Sequence, residues 1–346
     1  MGKNKTRAQI ERYELNRSPF AQKPTQKEVA ALLGETRDDL RRIINYKEQF
    51  VLRRTENIRG KNRNLVYPVA RFRAVHERLK FHLNKVRQPS YLFSPRRNRG
   101  QRDNAKEHID QYQYLTLDLK QFYPSTTAAM VRDFFSKEMK MYPDVAGLLT
   151  HICTIDDRVS FGSPLTPVLC TLVHRKMFDA IASVCDELGL KYSVWVDDLT
   201  ISGNFIPGKV IVRIRQIVRC HGLRAHKISY QTGNRPVFIT GIGIVGKKLI
   251  APNSLNLRLK CYWEDLHGAQ TPEEKDSCTQ NLLSQLGTVR HITGPDSETG
   301  RKAANQMNAL RQKRNKMYRM NNELRKINTT QVESLNSNLE PEELPF

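Results

Sequence analysis

The spacing of apolar and polar positions divides the chain into a series of short mixed elements and a long helical end. Residues 26–45 carry two short helical patterns separated by Gly34, as expected where a glycine closes one helix before the next begins. The pair has the outline of a helix-turn-helix. No recognition-helix pattern follows it, however, which favours two helices packed on a domain edge. Segment 50–70 is rich in strand formers, and 70–86 has amphipathic helical spacing that carries Leu79, Phe81 and Leu83. Tyr114-Leu-Thr-Leu-Asp-Leu119 is strand-like, and helical patterns fill 127–140 and 164–188. The run Tyr192-Ser-Val-Trp-Val-Asp-Asp-Leu-Thr-Ile-Ser202 predicts a strand, an acidic turn and a returning strand. A helix near 208–221 and a strand pair near 227–250 follow, and the pattern is helical after 252. No internal repeat is evident.

Charge adds a partner class to this outline. The chain has 346 residues, long enough for one large unit or two to three subdomains. Its 57 Lys plus Arg against 35 Asp plus Glu leave a net charge of +22, which favours a polyanion such as RNA, DNA or an anionic membrane. No apolar run is long enough to cross a bilayer. The basic N-terminus leads into no hydrophobic stretch, so secretion is not expected. The six cysteines, at 153, 170, 185, 220, 261 and 278, form no Cys-x-x-Cys pair. They indicate neither a zinc site nor a disulfide framework, and read as reduced residues of a cytoplasmic protein. The basic stretch Ser94-Pro-Arg-Arg-Asn-Arg-Gly-Gln-Arg102 offers four arginines to phosphates or to water, and 301–326 places nine Lys or Arg against the single acid Glu323. From Ile327 to Phe346 there are four Glu and no Lys or Arg, the composition of a disordered acidic tail.

In so basic a chain, adjacent carboxylates at the tip of a hairpin are costly unless a cation neutralises them. Asp197 and Asp198 occupy that tip, and Asp118 closes a strand 79 residues earlier. An Asp-Asp pair at a turn is weak evidence by itself, because Asp favours turns for backbone reasons. A strand-helix-helix-hairpin order can bring both acidic tips together on one sheet. Three converging carboxylates would then suit two Mg²⁺ ions and phosphoryl transfer. No nucleophile triad, Walker glycine loop or zinc spacing competes with this cluster.

Three segments carry a family resemblance. Leu117-Asp-Leu-Lys-Gln-Phe-Tyr-Pro-Ser125, Phe161-Gly-Ser-Pro-Leu-Thr-Pro167 and Trp195-Val-Asp-Asp-Leu-Thr-Ile-Ser-Gly203 stand in the order and approximate spacing of the palm motifs of reverse transcriptases. Asn104-Ala-Lys-Glu-His108 and Ile239-Thr-Gly241 resemble two elements of the retron-type enzymes, and the resemblance covers roughly residues 26–320. It implies an α+β right-hand polymerase. On this reading 1–25 is a basic extension, 26–110 holds fingers and N-terminal helices, 111–251 is a palm with interleaved fingers segments, 252–326 is a basic helical thumb, and 327–346 is the tail.

The resemblance also implies roles. Asp118, Asp197 and Asp198 would form the metal site, with Mn²⁺ as a substitute for Mg²⁺ and the Leu119 carbonyl as a further oxygen. Tyr123 would exclude a ribose 2′-hydroxyl and so favour dNTPs. Gly162 and Ser163 would let backbone approach template and nucleotide. Arg97 and Arg99 would reach the triphosphate, and Lys227 would act near the leaving pyrophosphate as proton donor or charge clamp. Asn104 and His108 belong to a structural or RNA-contacting element, and Thr240 and Gly241 to a second RNA-binding one. Two positions depart from the family: Phe161 replaces the common Gln, and Trp195 the usual Tyr.

The function implied is copying of a cognate structured noncoding RNA into cDNA, giving a branched RNA–DNA product in antiphage defence, with an effector protein as a further partner. Another bacterial defence enzyme or a group II-like reverse transcriptase is the alternative among enzymes. An RNA-binding scaffold with an inactive palm is the alternative outside them.

Overall fold

Local punctuation sets the first elements of the computed structural model, which describes residues 11–58, 60–232 and 235–337. Thr25 opens α1 (Gln26–Leu33) with a reciprocal capping box: the Glu28 amide donates to its hydroxyl at 3.3 Å, and its own amide donates to the Glu28 carboxylate at 2.7 Å. Gly34 closes that helix in the left-handed region, and Thr36 caps α2 (Arg37–Asn45). Val29, Ala30, Leu33, Leu40 and Ile43 point inward and join the main core. The two helices are therefore a packed pair, as the favoured reading of the sequence expects.

A hairpin follows, β1 (Val51–Ile58) with β2 (Lys61–Pro68), and leads directly into α3 (Ala70–Leu83). Next come β3 (Leu92–Ser94), α4 (Gln101–Glu107), β4 (Gln113–Leu119), the one-turn α5 (Phe122–Ser125), α6 (Ala128–Asp133) and α7 (Pro143–Cys153). The helix expected over 127–140 is α6 continued by a π-helical turn at Phe134–Glu138. The helix expected over 164–188 is two, α8 (Thr166–Val173) and α9 (Arg175–Glu187). His174 separates them with φ −98° and ψ 14°, and its ring is fixed in the interior by Thr126 Oγ1 at 2.9 Å from Nε2. The first unit is completed by β5 (Lys191–Trp195), β6 (Asp198–Gly203), α10 (Gly208–Cys220), β7 (Ala225–Thr232) and β8 (Val237–Ile239).

Among the described residues, β3, β5, β6, β4 and β7 form one sheet in that order. β4 runs antiparallel to both β6 and β7, β5 is antiparallel to β6, and β3 is parallel to β5. These directions bring five chain ends to one edge of the sheet: the C-terminal ends of β3, β4 and β5 and the N-terminal ends of β6 and β7. Leu115, Val194, Leu199 and Ile201 are wholly buried on these strands, each contributing roughly 1.5–3 kcal/mol of apolar burial. That rigid centre is what holds the edge in place.

The chain divides into two compact units, Met1–Thr240 and Gly241–Phe346. The second opens on the hairpin of β9 (Ile242–Val245) and β10 (Lys248–Ile250) and continues into the helices that follow it. Those are α11 (Asn253–Gly268), α12 (Pro272–Thr293) and α13 (Glu298–Ser337). Leu282, Leu286 and Val289 of α12 and Ala303 and Leu310 of α13 are buried, and Arg314 donates to Asp276 at 2.6 Å. Arg301, Lys302, Arg311, Lys313, Lys316 and Arg319 are left exposed. Of the expected acidic tail, 327–337 continues α13, and 338–346 lies outside the described residues, as do the first ten residues of the N-terminal extension. No helix among the described residues is long and apolar enough to cross a membrane. The α+β class expected from the sequence is the one the chain adopts.

Candidate active site

The shared sheet edge assembles the acidic cluster. Asp118, one residue from the end of β4, is the register partner of Asp198 at the start of β6, and the Leu119 amide donates to the Asp197 carbonyl at 2.9 Å. Between β5 and β6, Val196 takes φ 60°, a strained value for a β-branched residue. Its amide donates to the Ser94 carbonyl at 3.1 Å, which ties the turn to β3. One carboxylate oxygen from each of Asp118, Asp197 and Asp198 lies within 4.8 Å of the other two.

The electrostatics show a cluster short of positive charge. The Asp197 carboxyl is pushed up from 3.8 to about 6, first by burial, then by Asp198 and Asp118. Asp198 is raised by burial and by Asp118, with Lys227 working against both. Lys227 Nζ donates to Asp118 Oδ2 at 2.8 Å, and that bond raises the lysine's own pKa. The lysine side chain is 61% exposed. His226 Nδ1 stands 3.5 Å from the same oxygen. A hard, all-oxygen donor set with unneutralised charge fits a divalent cation such as Mg²⁺.

A stability prediction follows from this cluster. Without metal, Asp197 and Asp198 bind protons more tightly in the folded than in the unfolded chain, so their contribution to stability is fully present below about pH 4 and is lost as pH rises through about 6. Thermal melting in chelator should show that decline, and Asp197→Asn should flatten it. Identical pH profiles for the two proteins would contradict it.

The remaining sequence-predicted residues fall into three groups. Tyr123 on α5 packs on Phe161 with ring centroids 5.9 Å apart, and its hydroxyl pKa is raised by burial first, then by Cys170 and Asp197. Gly162 has φ +117°, and a Cβ there would meet Tyr67 at 3.1 Å. Only glycine satisfies both constraints. Arg97 and Arg99 are exposed in the turn after β3, at the acidic edge, and Arg99 lies over the Phe93 ring at 4.9 Å. Tyr123 and the Phe161–Gly162 loop thus belong to one neighbourhood.

Ser163 is 6% exposed, and its hydroxyl faces His76. Asn104 and His108 are likewise internal, at 1% and 0% exposure. His108 Nδ1 meets Ser202 Oγ and Nε2 meets Ser193 Oγ, both at 2.7 Å. Burial first, then Lys191, lowers its pKa to about 3, so the ring is neutral. Here His108 joins the end of α4 to β5 and β6. His108→Ala would strand two buried serine hydroxyls and cost about 2–3 kcal/mol. Chemical denaturation measures this, and a cost below about 0.5 kcal/mol, the scale of a neutral surface change, would contradict the bridge. Thr240, with φ 48°, ends the first unit, and Gly241 begins the second.

Sequence reasoning missed the contribution of the β1–β2 hairpin. The Val66 amide donates to the Phe161 carbonyl at 3.1 Å, and the Arg63 guanidinium lies over the Phe161 ring at 5.0 Å. Arg63, Phe161 and Tyr123 therefore form a continuous set of ring and guanidinium contacts, at the position where the resemblance implies a polar Gln. The departure at Phe161 was the available signal; the partner was not.

No family model matches the chain. Among curated proteins it is 27% identical over 182 residues to the retron Se72 reverse transcriptase of Salmonella heidelberg (strain 579083-10), which spans 51% of this chain and 47% of that one. It is 29% identical over 219 residues to the retron Mx65 reverse transcriptase of Myxococcus xanthus, spanning 55% of this chain and 50% of the relative. Its relatives are retron reverse transcriptases. The retron Ec86 reverse transcriptase of Escherichia coli is a third, 28% identical over 39% of this chain and 42% of its own length. The chain thus spans about half the length of the curated relatives it matches. Among solved structures, an apo telomerase from Candida tropicalis has a TM-score of 0.43 at 12% identity, covering 63% of this chain and 61% of that one. A foamy viral protease-reverse transcriptase has 0.40 at 15%, covering 77% and 41%.

Proposed function

We propose that this chain is a retron-type RNA-directed DNA polymerase. The observation that carries the proposal is the meeting of Asp118, Asp197 and Asp198 within 4.8 Å at the edge where Tyr123 and the Gly162 loop also stand. Curated relatives that are retron reverse transcriptases, at 27–29% identity, support it. In this reading the β1–β2 hairpin and its neighbours serve as fingers, the five-stranded sheet as palm, and the basic helices of the second unit as thumb.

Asp118, Asp197 and Asp198 would hold two Mg²⁺, for which Mn²⁺ would substitute, with the Leu119 carbonyl as a further donor. When bound, these ions supply charge neutralisation at the attacking and leaving oxygens. Lys227 adds positive charge at Asp118 and guards the site against excess repulsion before substrate arrives. Tyr123 presses on the sugar edge and favours a dNTP. Gly162 lets the backbone come close, while Arg97 and Arg99 offer charge to the triphosphate. Arg63, over the Phe161 ring, adds a further positive charge beside the loop.

The substrate nucleic acid is a cognate structured noncoding RNA, held largely through its backbone by exposed Lys and Arg. The product is cDNA joined to that RNA, serving antiphage defence with an effector protein. Sequencing of nucleic acid copurified with the chain tests this. Recovery of a single RNA species covalently branched to DNA is expected. Random cellular RNA with no linked DNA would contradict it, and would favour a binding scaffold.

A further inference from the structure

Ser163 is held by a relay of hydrogen bonds whose direction is fixed. His76 lies on α3, 1% exposed, with Nε2 2.9 Å from the Ile152 carbonyl and Nδ1 2.7 Å from Ser163 Oγ. A carbonyl only accepts, so Nε2 carries the proton. In the neutral ring Nδ1 must then accept, and the Ser163 hydroxyl donates to it. That leaves the serine oxygen to accept from the Leu165 amide at 3.1 Å. Burial lowers the His76 pKa to about 4, in keeping with a neutral ring, and Phe72 packs edge-on against it at 4.5 Å. The Ile152 carbonyl lies in the last turn of α7, where no helical amide remains to bond it.

Two more contacts grip the same loop from the same stretch of chain. Val66 holds the Phe161 carbonyl and Tyr67 packs against Gly162, and β2 runs into α3 with one residue between them. Backbone, ring and imidazole of a single segment thus clasp residues 161–165. We propose that His76 is a positioning residue for nucleotide binding: through the Ser163 hydroxyl it fixes the turn that presents Gly162 to the incoming nucleotide. The inference rests on the nucleotide-binding reading of that loop given above.

The two ring nitrogens can be separated by substitution. In His76→Asn the side-chain amide falls near the position of Nδ1, within reach of Ser163 but not of Ile152. In His76→Gln it reaches toward Ile152 and leaves Ser163 without an acceptor. Both variants should melt lower than the wild type, so melting alone does not discriminate. Steady-state incorporation of a dNTP on a primed RNA template does. His76→Gln and Ser163→Ala should each raise KM about fivefold, the worth of one neutral hydrogen bond, with little change in kcat. Their combination should add nothing further, and His76→Asn should stay near the wild type.

Hydrogen exchange over 161–166 supplies a readout independent of activity. It should accelerate in His76→Gln and Ser163→Ala and not in His76→Asn. Equal KM values and equal exchange for the two His76 variants would overturn the proposal and leave His76 a packing residue. If the wild type itself incorporated no dNTP, the nucleotide-binding reading would fall. The exchange pattern would then decide the relay alone.

Discussion

Asp197→Asn is expected to lower RNA-templated dNTP incorporation by about a thousandfold or more, the loss that follows when a metal-borne contribution of several kcal/mol is removed. Asp197 sits at the centre of the cluster, on the strained turn after Val196, and its carboxyl is the one pushed up to about 6 by burial and by both neighbours. An amide of the same shape keeps the turn and removes a charge that repels the other two. The variant should therefore melt, in chelator at neutral pH, no lower than the wild type. Loss of activity together with loss of the folded transition would instead mean that Asp197 is needed to build the hairpin. Retention of wild-type activity in a folded variant would defeat its assignment as a metal ligand.

The second large effect concerns the sugar. Tyr123→Ala is expected to lower the preference for dNTPs over NTPs by on the order of 10- to 100-fold, the range available to pocket shape. Incorporation of dNTPs should largely persist. Tyr123 is placed for this by α5, which begins just beyond β4, and by the Phe161 ring at its side. Phe122, its neighbour, is 3% exposed and packs toward His174 and Phe178. Phe122→Ala should cost about 3–5 kcal/mol of stability and leave sugar preference alone. Competitive incorporation of paired dNTP and NTP substrates measures both. An unchanged ratio in Tyr123→Ala would contradict the role.

The parts of the site built from local pattern were legible in the sequence. Alternation in β4, β5 and β6 and the spacing from Asp118 to Asp197 were enough to expect two acidic tips on one sheet, and the register partnership of Asp118 with Asp198 is how the chain achieves it. Contacts between distant segments were not legible, because nothing in a local window encodes them. The imidazole of His76 meets Ser163 across 87 positions, a contact that no local window contains. His108 is buried for a similar reason: Ser193 and Ser202, from separate strands, place their hydroxyls either side of it. Helical periodicity over 164–188 likewise carried no sign that His174 would be anchored by Thr126 and break the run. Phe161 could be seen as a departure from the family, but its Arg63 partner is supplied by a hairpin about 100 residues away, a pairing made by tertiary packing rather than by propensity.

The most direct test of the acidic edge as a polymerase centre is incorporation of labelled dNTPs by the purified chain on a primed RNA template, with Mg²⁺ or Mn²⁺ added to chelator-treated protein. Template-dependent DNA synthesis by the wild type, absent without metal and absent in Asp118→Asn, Asp197→Asn and Asp198→Asn, is the predicted result. RNA binding with no incorporation under either metal, or synthesis undiminished in all three variants, would contradict it.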